Sequence, residues 1–192
     1  MAVKTFTTGE VLTAADTNTY LANAGLVYIK TATVSNAADT GTAFRSIFTS
    51  TYDAYRIVCH TLTANTNASL ARYQFLYSTS TAQNSGNYGA ALEIYPVGGT
   101  AVTQSVGVAA GTYLPLTVLT DNLGYSSFVM DVYQAGSSGR ASTTFQTQQA
   151  YTGAGGFGSG LTTTTRTYDG MLFFMSTGNI SMTATVYGYR KG

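Results

Sequence analysis

From residue 26 to residue 190, apolar and polar residues alternate with a period of two. In the last segment, 180–190, Ile180 and Met182 face one way, while Ser181 and Thr183 face the other. Such alternation is typical of a β-strand buried on one side only, because successive side chains point to opposite faces of a sheet. The segments are separated by clusters of Gly, Asn, Ser and Asp, which favour turns. No helical segment long enough to connect parallel strands follows residue 25.

The alternation predicts ten strands. They span 26–34, 55–62, 70–78, 90–95, 100–108, 114–119, 128–134, 141–150, 171–176 and 180–190. Short strands separated by turns favour an all-β fold, an antiparallel β-sandwich of the jelly-roll type, over alternating strands and helices. We therefore expect two parts, an N-terminal segment over residues 1–25 and a β-sandwich domain over residues 26–192.

Charged residues make up only 9% of the chain, which has 15 Tyr and 9 Phe and a net charge of +1. An average soluble domain has about 25% charged residues. The chain therefore lacks the basic surface of a nucleic-acid-binding protein, and no partner of that kind is expected. Its one Cys excludes a disulfide scaffold.

No apolar run is long enough to insert into a membrane, and no secretory signal is recognised. Strand edges without charged residues expose unpaired backbone groups that can pair with other chains, and burial between subunits prevents this. We therefore expect the chain to form a homotrimer.

The N-terminal segment differs from the rest of the chain. Thr13 and Asp16 have the spacing of a helix N-terminal capping box, with Asp in place of Glu or Gln. Helical spacing follows over residues 14–24, and Gly25 stands where a helix commonly ends. A helix of about three turns is not stable alone in water. Two interpretations stay open: a lid on the β domain, or an attachment segment.

No set of residues indicates catalysis, a cofactor or a metal ion. Cys59 and His60 are neighbours, but adjacent residues in a strand point to opposite faces and do not form a nucleophile–base pair. Glu93 and Asp131 are the only pair of acids suited to glycoside hydrolysis, and solvent-facing strand positions explain them better. We expect no enzymatic activity, no cofactor and no metal site.

The segment 151–160 contains five glycines and two aromatic residues, and the sequence predicts a surface loop there. Glycines permit close backbone approach, and Tyr151 and Phe157 provide faces on which a sugar ring can stack. Asn87 and Tyr88, at another predicted turn, are the second choice. The candidate host-contact residues are thus Tyr151, Phe157, Tyr88 and Asn87. Packing in the core or between subunits is the alternative interpretation.

The string TFTTGEVLTAADTNTYLANAGLVYIK, residues 5–30, resembles an N-terminal segment shared by small tail, fibre and head-decoration proteins of tailed bacteriophages. In those proteins the motif Phe-x-x-Gly-Glu-x-Leu-Thr-Ala-x-Asp-x-Asn precedes a β-rich domain. Residues 48–56 and 186–191 are similar to strings in phage β domains, whereas residues 70–169 have no such likeness. The anchor that this resemblance implies comprises Phe6, Gly9, Glu10, Leu12, Thr13, Asp16, Asn18 and Tyr20.

The resemblance implies a structural component of a phage particle. We expect a trimeric tail-associated fibre that binds other phage proteins through residues 1–25 and contacts host surface carbohydrate with its β domain. A capsid head fibre or decoration protein is the first alternative, and a depolymerase of host polysaccharide is the second. In each case the chain is made in the host cytoplasm without a signal peptide and ends up on the virion surface.

Overall fold

The computed structural model describes residues 7–11, 13, 25–41, 43–66, 69–77, 81–82, 88–95, 102–120, 125–149 and 155–190. These residues contain twelve strands and no helix. The strands are β1 (Leu26–Ala37), β2 (Tyr52–Ala64), β3 (Ser69–Tyr77), β4 (Thr81–Ala82), β5 (Tyr88–Tyr95), β6 (Val102–Gly111), β7 (Leu114–Thr120), β8 (Ser126–Tyr133), β9 (Ser142–Gln149), β10 (Gly155–Thr162), β11 (Gly170–Met175) and β12 (Ile180–Arg190).

The strands form two sheets. The larger sheet has the order β1-β12-β2-β8-β9-β10-β5-β6, and in the smaller sheet β11 lies on one side of β3 while β4 and β7 pair with its other side. Every pairing among these strands is antiparallel. The prediction of an all-β fold with antiparallel strands is therefore confirmed. The predicted helix over residues 14–24 lies outside the described residues.

One hydrophobic core receives side chains from both sheets. The Tyr73 ring on β3 packs edge-on against the Phe145 ring on β9, with their centroids 6.3 Å apart. Phe128 on β8 and Phe173 on β11 have centroids 5.6 Å apart. The buried hydroxyl of Tyr73 is hydrogen-bonded to Thr143 at 2.5 Å, which satisfies a polar group that burial would otherwise make costly. Aromatic contacts between the sheets thus supply much of the core.

The prediction of a loop over residues 151–160 is wrong for residues 155–160, which belong to β10 between β9 and β5. Two inward positions of β10, Gly158 and Gly160, are glycines because neighbouring side chains occupy the space that a Cβ would take. A Cβ added to Gly158 would lie 2.7 Å from Cζ of Phe145, and one added to Gly160 would lie 2.6 Å from the hydroxyl of Tyr73. Glycine weakens a strand by itself, but close packing over the backbone favours it here.

Candidate binding groove

The outward face of the larger sheet carries a groove of about 630 Å³ that crosses β2, β8, β9, β10 and β5. We call it the sheet groove, and its principal outward side chains are Arg56, Val129, Asp131, Gln146, Phe157 and Glu93. The strand register aligns them in two neighbouring rows. One row runs Arg56, Asp131, Thr144, Ser159 and Ala91, and the next runs Val129, Gln146, Phe157 and Glu93. The volume lies within the range typical of small-molecule sites.

The groove is a depression because side-chain length changes along its rows. Thr144, Ser159 and Ala91 on three adjacent strands have short side chains. The longer side chains of Arg56 and Phe157 stand beside them. Since outward side chains stand roughly perpendicular to a sheet, short residues next to long ones leave a hollow with a firm backbone floor.

The best-defined polar group in the sheet groove is the carboxylate of Asp131. The guanidinium of Arg56 donates two hydrogen bonds to it, from Nε at 2.8 Å and from Nη2 at 2.7 Å. The hydroxyl of Tyr189 on β12 donates a third, at 2.9 Å to Oδ1. These bonds, the Arg56 bond foremost, lower the pKa of Asp131 below the ordinary value of an aspartate. Asp131 is therefore ionised at neutral pH and is not a proton donor there.

An aromatic ring and an amide lie beside this carboxylate. Phe157 is 48% exposed although it stands on an internal strand of the sheet. Its register partners are Gln146 on β9 and Glu93 on β5, and the 38%-exposed Val129 follows Gln146 in the same row. A flat apolar face bordered by an amide and carboxylates can stack against a sugar ring and hydrogen-bond to its hydroxyls. The strand holds these groups in fixed positions.

Cys59 and His60 lie on opposite sides of the sheet, as expected from the sequence. Cys59 is 1% exposed in the core, its thiol lies 3.3 Å from the carbonyl oxygen of Thr61, and burial raises its pKa to about 12. His60 is exposed, and its Nε2 lies 3.5 Å from the hydroxyl of Thr185. A protonated, buried thiol facing away from the imidazole cannot be activated by it.

The candidate host-contact residues are in different situations. Phe157 lies in the sheet groove, on a strand instead of the predicted loop. Tyr88 is 1% exposed and its hydroxyl accepts a hydrogen bond from the Phe75 amide at 2.8 Å. Tyr88 is therefore a core residue and not a surface contact, because strand β5 directs its ring inward. Asn87 and Tyr151 lie outside the described residues.

Three of the eight predicted anchor residues are described. Thr7 to Glu10 form a four-residue turn in which the Glu10 amide donates to the Thr7 carbonyl at 3.0 Å, and the Glu10 carboxylate accepts from the Thr7 amide at 3.1 Å. Gly9, with φ of 90°, has the left-handed conformation that favours glycine in turns. The turn gives a local reason for the Gly-Glu pair of the motif. Thr13 is exposed. Phe6, Leu12, Asp16, Asn18 and Tyr20 lie outside the described residues.

Sequence reasoning missed most of the sheet groove. Arg56, Thr144 and Gln146 fall within the predicted strands 55–62 and 141–150, but the alternation does not tell which strands adjoin. The pairing of β2 with β8 and of β10 with β5 joins residues far apart in sequence. Glu93 and Asp131 had been considered as a pair, and both line the groove.

Within the described ranges, no three His, Cys, Asp or Glu side chains converge as a metal site would require. In the same part of the chain, no helix is long and apolar enough to cross a membrane. No protein-family model matches the chain, and no curated protein matches its sequence.

Proposed function

We propose that this chain is a structural protein of a tailed bacteriophage, a homotrimeric tail-associated fibre with a jelly-roll-like β-sandwich domain. Residues 1–25 attach it to other phage proteins, and the domain contacts carbohydrate on the host surface. The attachment role is supported by the resemblance of residues 5–30 to phage N-terminal segments. It also agrees with the start of β1 at Leu26, directly after that segment.

The host-contact role depends mainly on one observation, the rigid sheet groove with the exposed ring of Phe157. Aromatic, amide, carboxylate and hydroxyl groups stand together there on adjacent strands. Most small apolar ligands need a deeper and drier pocket, whereas a glycan chain is bound well in an open groove with stacking and hydrogen-bonding groups. Single-site binding of this kind is weak, and a trimer on a many-copy surface strengthens it by multivalency.

The trimer contact is proposed near β1, away from the groove. Leu26 and Tyr28 at that edge are 42% and 61% exposed, and apolar residues exposed together commonly mark interfaces. The hydroxyl of Tyr28 accepts a hydrogen bond from the Thr31 amide at 3.0 Å, which covers one donor of the edge strand. We therefore propose side-chain packing there, not strand addition. This contact would bring three N-terminal segments together and leave the sheet groove open.

Immunogold electron microscopy of particles made from the genome that encodes the chain tests the proposal. Antibody against the full chain should label the tail. Label on the capsid would favour the head-fibre or decoration alternative, and particles without label would refute the virion role. Light scattering of the full chain should give three times the mass of one chain, and a stable monomer at micromolar concentration would refute the trimer.

Adsorption of particles carrying Phe157→Ser tests the host-contact role. We expect clearly reduced adsorption with the melting temperature of the purified protein nearly unchanged. The matched control is Tyr125→Ser, which removes a 66%-exposed aromatic residue that does not line the groove. Equal adsorption by both variants would refute this role for the groove. Release of sugar from host glycan would instead support the depolymerase alternative.

A further inference from the structure

Resting on the proposed host contact, we propose that the sheet groove is one half of a longer site for an uncharged, linear polysaccharide. The second half is an adjoining depression lined by His60, Ser127 and Gln148. The chain of sugars would run diagonally over the strands, from β5 and β10 in the sheet groove toward Ser127 and Gln148 in the second depression, and occupy both halves at once.

The second depression has a volume of about 440 Å³ and lies on the same outward face. It shares Val129 and Gln146 with the sheet groove, so the two hollows adjoin at these side chains. Ser127 and Gln148 are register partners on β8 and β9, two positions along from Val129 and Gln146. Its outward polar groups are the hydroxyl of Ser127, the amides of Gln146 and Gln148 and the imidazole of His60, and its lining residues include no carboxylate and no guanidinium.

The dimensions of the combined site favour more than one sugar unit. The second depression lies over β2, β8 and β9, two residues further along these strands, and the sheet groove itself extends from β2 to β5, across four strand-to-strand steps of the larger sheet. At about 4.8 Å per step the span is roughly 19 Å, which exceeds the length of a single pyranose ring. The backbone beneath is an extended ladder of hydrogen-bonded strands, so the separation between the two halves is fixed.

The charges in the combined site favour an uncharged ligand. Its ionic side chains are Arg56, Asp131 and Glu93, which give one positive and two negative charges at neutral pH. Arg56 is engaged in the two hydrogen bonds to Asp131. Because Arg56 and Asp131 neutralise each other, an acidic polysaccharide would meet the remaining negative charge of Glu93 and a guanidinium that is already bound to a carboxylate.

Hydroxyl and amide groups complement the hydroxyls of a neutral sugar. Gln146 and Gln148 are exposed at alternate positions of β9, and each amide offers donors and an acceptor. Thr144 and Ser159 add hydroxyls that both donate and accept. The ring of Phe157 provides stacking in one half only. We therefore expect a short glycan to occupy that half first.

An array of immobilised bacterial polysaccharides, neutral and acidic, tests the ligand class with the full-length protein. We expect binding to neutral polysaccharides and none to uronic- or sialic-acid polymers. Preference for acidic polymers, or binding to no polysaccharide, would overturn the inference. The immunogold result is independent of this outcome, so a virion role can stand while the glycan site fails.

Calorimetry with a length series from the best neutral polysaccharide tests the two-part site. The hexasaccharide should bind at least about tenfold more tightly than the disaccharide, since one further good hydrogen bond corresponds to about that factor. Gln148→Ala should remove most of this gain and leave disaccharide binding unchanged. Phe157→Ser should weaken binding of both the disaccharide and the hexasaccharide. Gln74→Ala, which removes an amide from the smaller sheet, should weaken binding of neither. Equal affinity for both lengths would overturn the two-part site while leaving host contact intact.

Discussion

Arg56 on β2 and Asp131 on β8 stand directly opposite each other and share two hydrogen bonds of 2.8 and 2.7 Å. The two side chains form a bidentate pair, the strongest arrangement between a guanidinium and a carboxylate. Tyr189 on β12 completes the group, so adjacent strands from three separate parts of the chain hold one carboxylate. The wall of the sheet groove is therefore fixed in both position and charge.

Asp131→Asn should lower the free energy of unfolding at pH 7 by about 1–2 kcal/mol, a modest loss because the Arg56 side chain is 36% exposed. The pKa of Asp131 is lowered in the folded state. Its contribution is therefore present above the unfolded pKa of about 4 and disappears as pH falls through the lower folded pKa. Urea unfolding at pH 7 and pH 3 should show the difference between wild type and variant shrinking in acid.

Glu93→Gln is the control for that experiment, because it removes another carboxylate of the sheet groove without touching the Arg56 pair. Its unfolding free energy should stay within about 0.5 kcal/mol of the wild type at pH 7. A loss equal to that of Asp131→Asn would mean that general charge in the groove, and not the bidentate pair, stabilises the sheet.

Gly160→Ala should destabilise the protein by about 1–3 kcal/mol, the usual cost of inserting a methyl group into a packed core. The new Cβ would lie 2.6 Å from the hydroxyl of Tyr73 and 2.9 Å from both methyls of Leu114. Gly155→Ala on the same strand is the matched control, because its nearest neighbour would be the Thr147 carbonyl oxygen at 3.4 Å. Thermal unfolding of the two variants should separate them, and equal stability would show that the smaller sheet can move away.

The Cys59 thiol should not react with a disulfide reagent such as DTNB at pH 8 while the protein is folded. Burial keeps it 1% exposed and raises its pKa to about 12, so it is protonated and inaccessible. Denaturation in guanidinium chloride should release one reactive thiol per chain. Rapid labelling of the folded protein would mean that β2 opens locally on the timescale of the reaction.

A shortened chain that begins at Leu26 should fold and fail to join particles. β1 starts at that residue, and the described core lies entirely within residues 44–186. Circular dichroism should show a cooperative thermal unfolding transition close to that of the full chain. Particles that assemble while only the shortened chain is produced should contain none of it. Normal incorporation would remove residues 1–25 from the attachment role.

The strand pattern was largely predictable because burial alternates where one face of a sheet packs on a core. For β12 the predicted and observed bounds are identical, and in β3 the alternate residues Tyr73 and Phe75 are both buried. β10 was not predictable in the same way. Its inward glycines are required by the close packing of Phe145 and Tyr73 from other strands, and the local sequence pattern does not show which side chains pack there.

The sheet groove is a second feature that could not be predicted from local sequence, because its residues come from distant parts of the chain. Asp131 reads as an outward strand position in the sequence, but its charge state depends on Arg56 and Tyr189, which are 75 and 58 residues away. Phe157 was chosen as a candidate from its residue type, and its position on a strand of the sheet was not predicted. Residue type indicated what chemistry was available, and strand order decided where it came together.

The position of β12 between β1 and β2 has a consequence for the order of folding. On the ribosome β12 is synthesised after every other described strand, so until then the outer edge of β2 and the whole of β1 have no pairing partner in the larger sheet. Nascent chains would hold unpaired apolar strands throughout translation, a state prone to aggregation and slow to resolve. We therefore expect this protein to depend on protection by chaperones during synthesis and to complete its larger sheet only once β12 has left the ribosome.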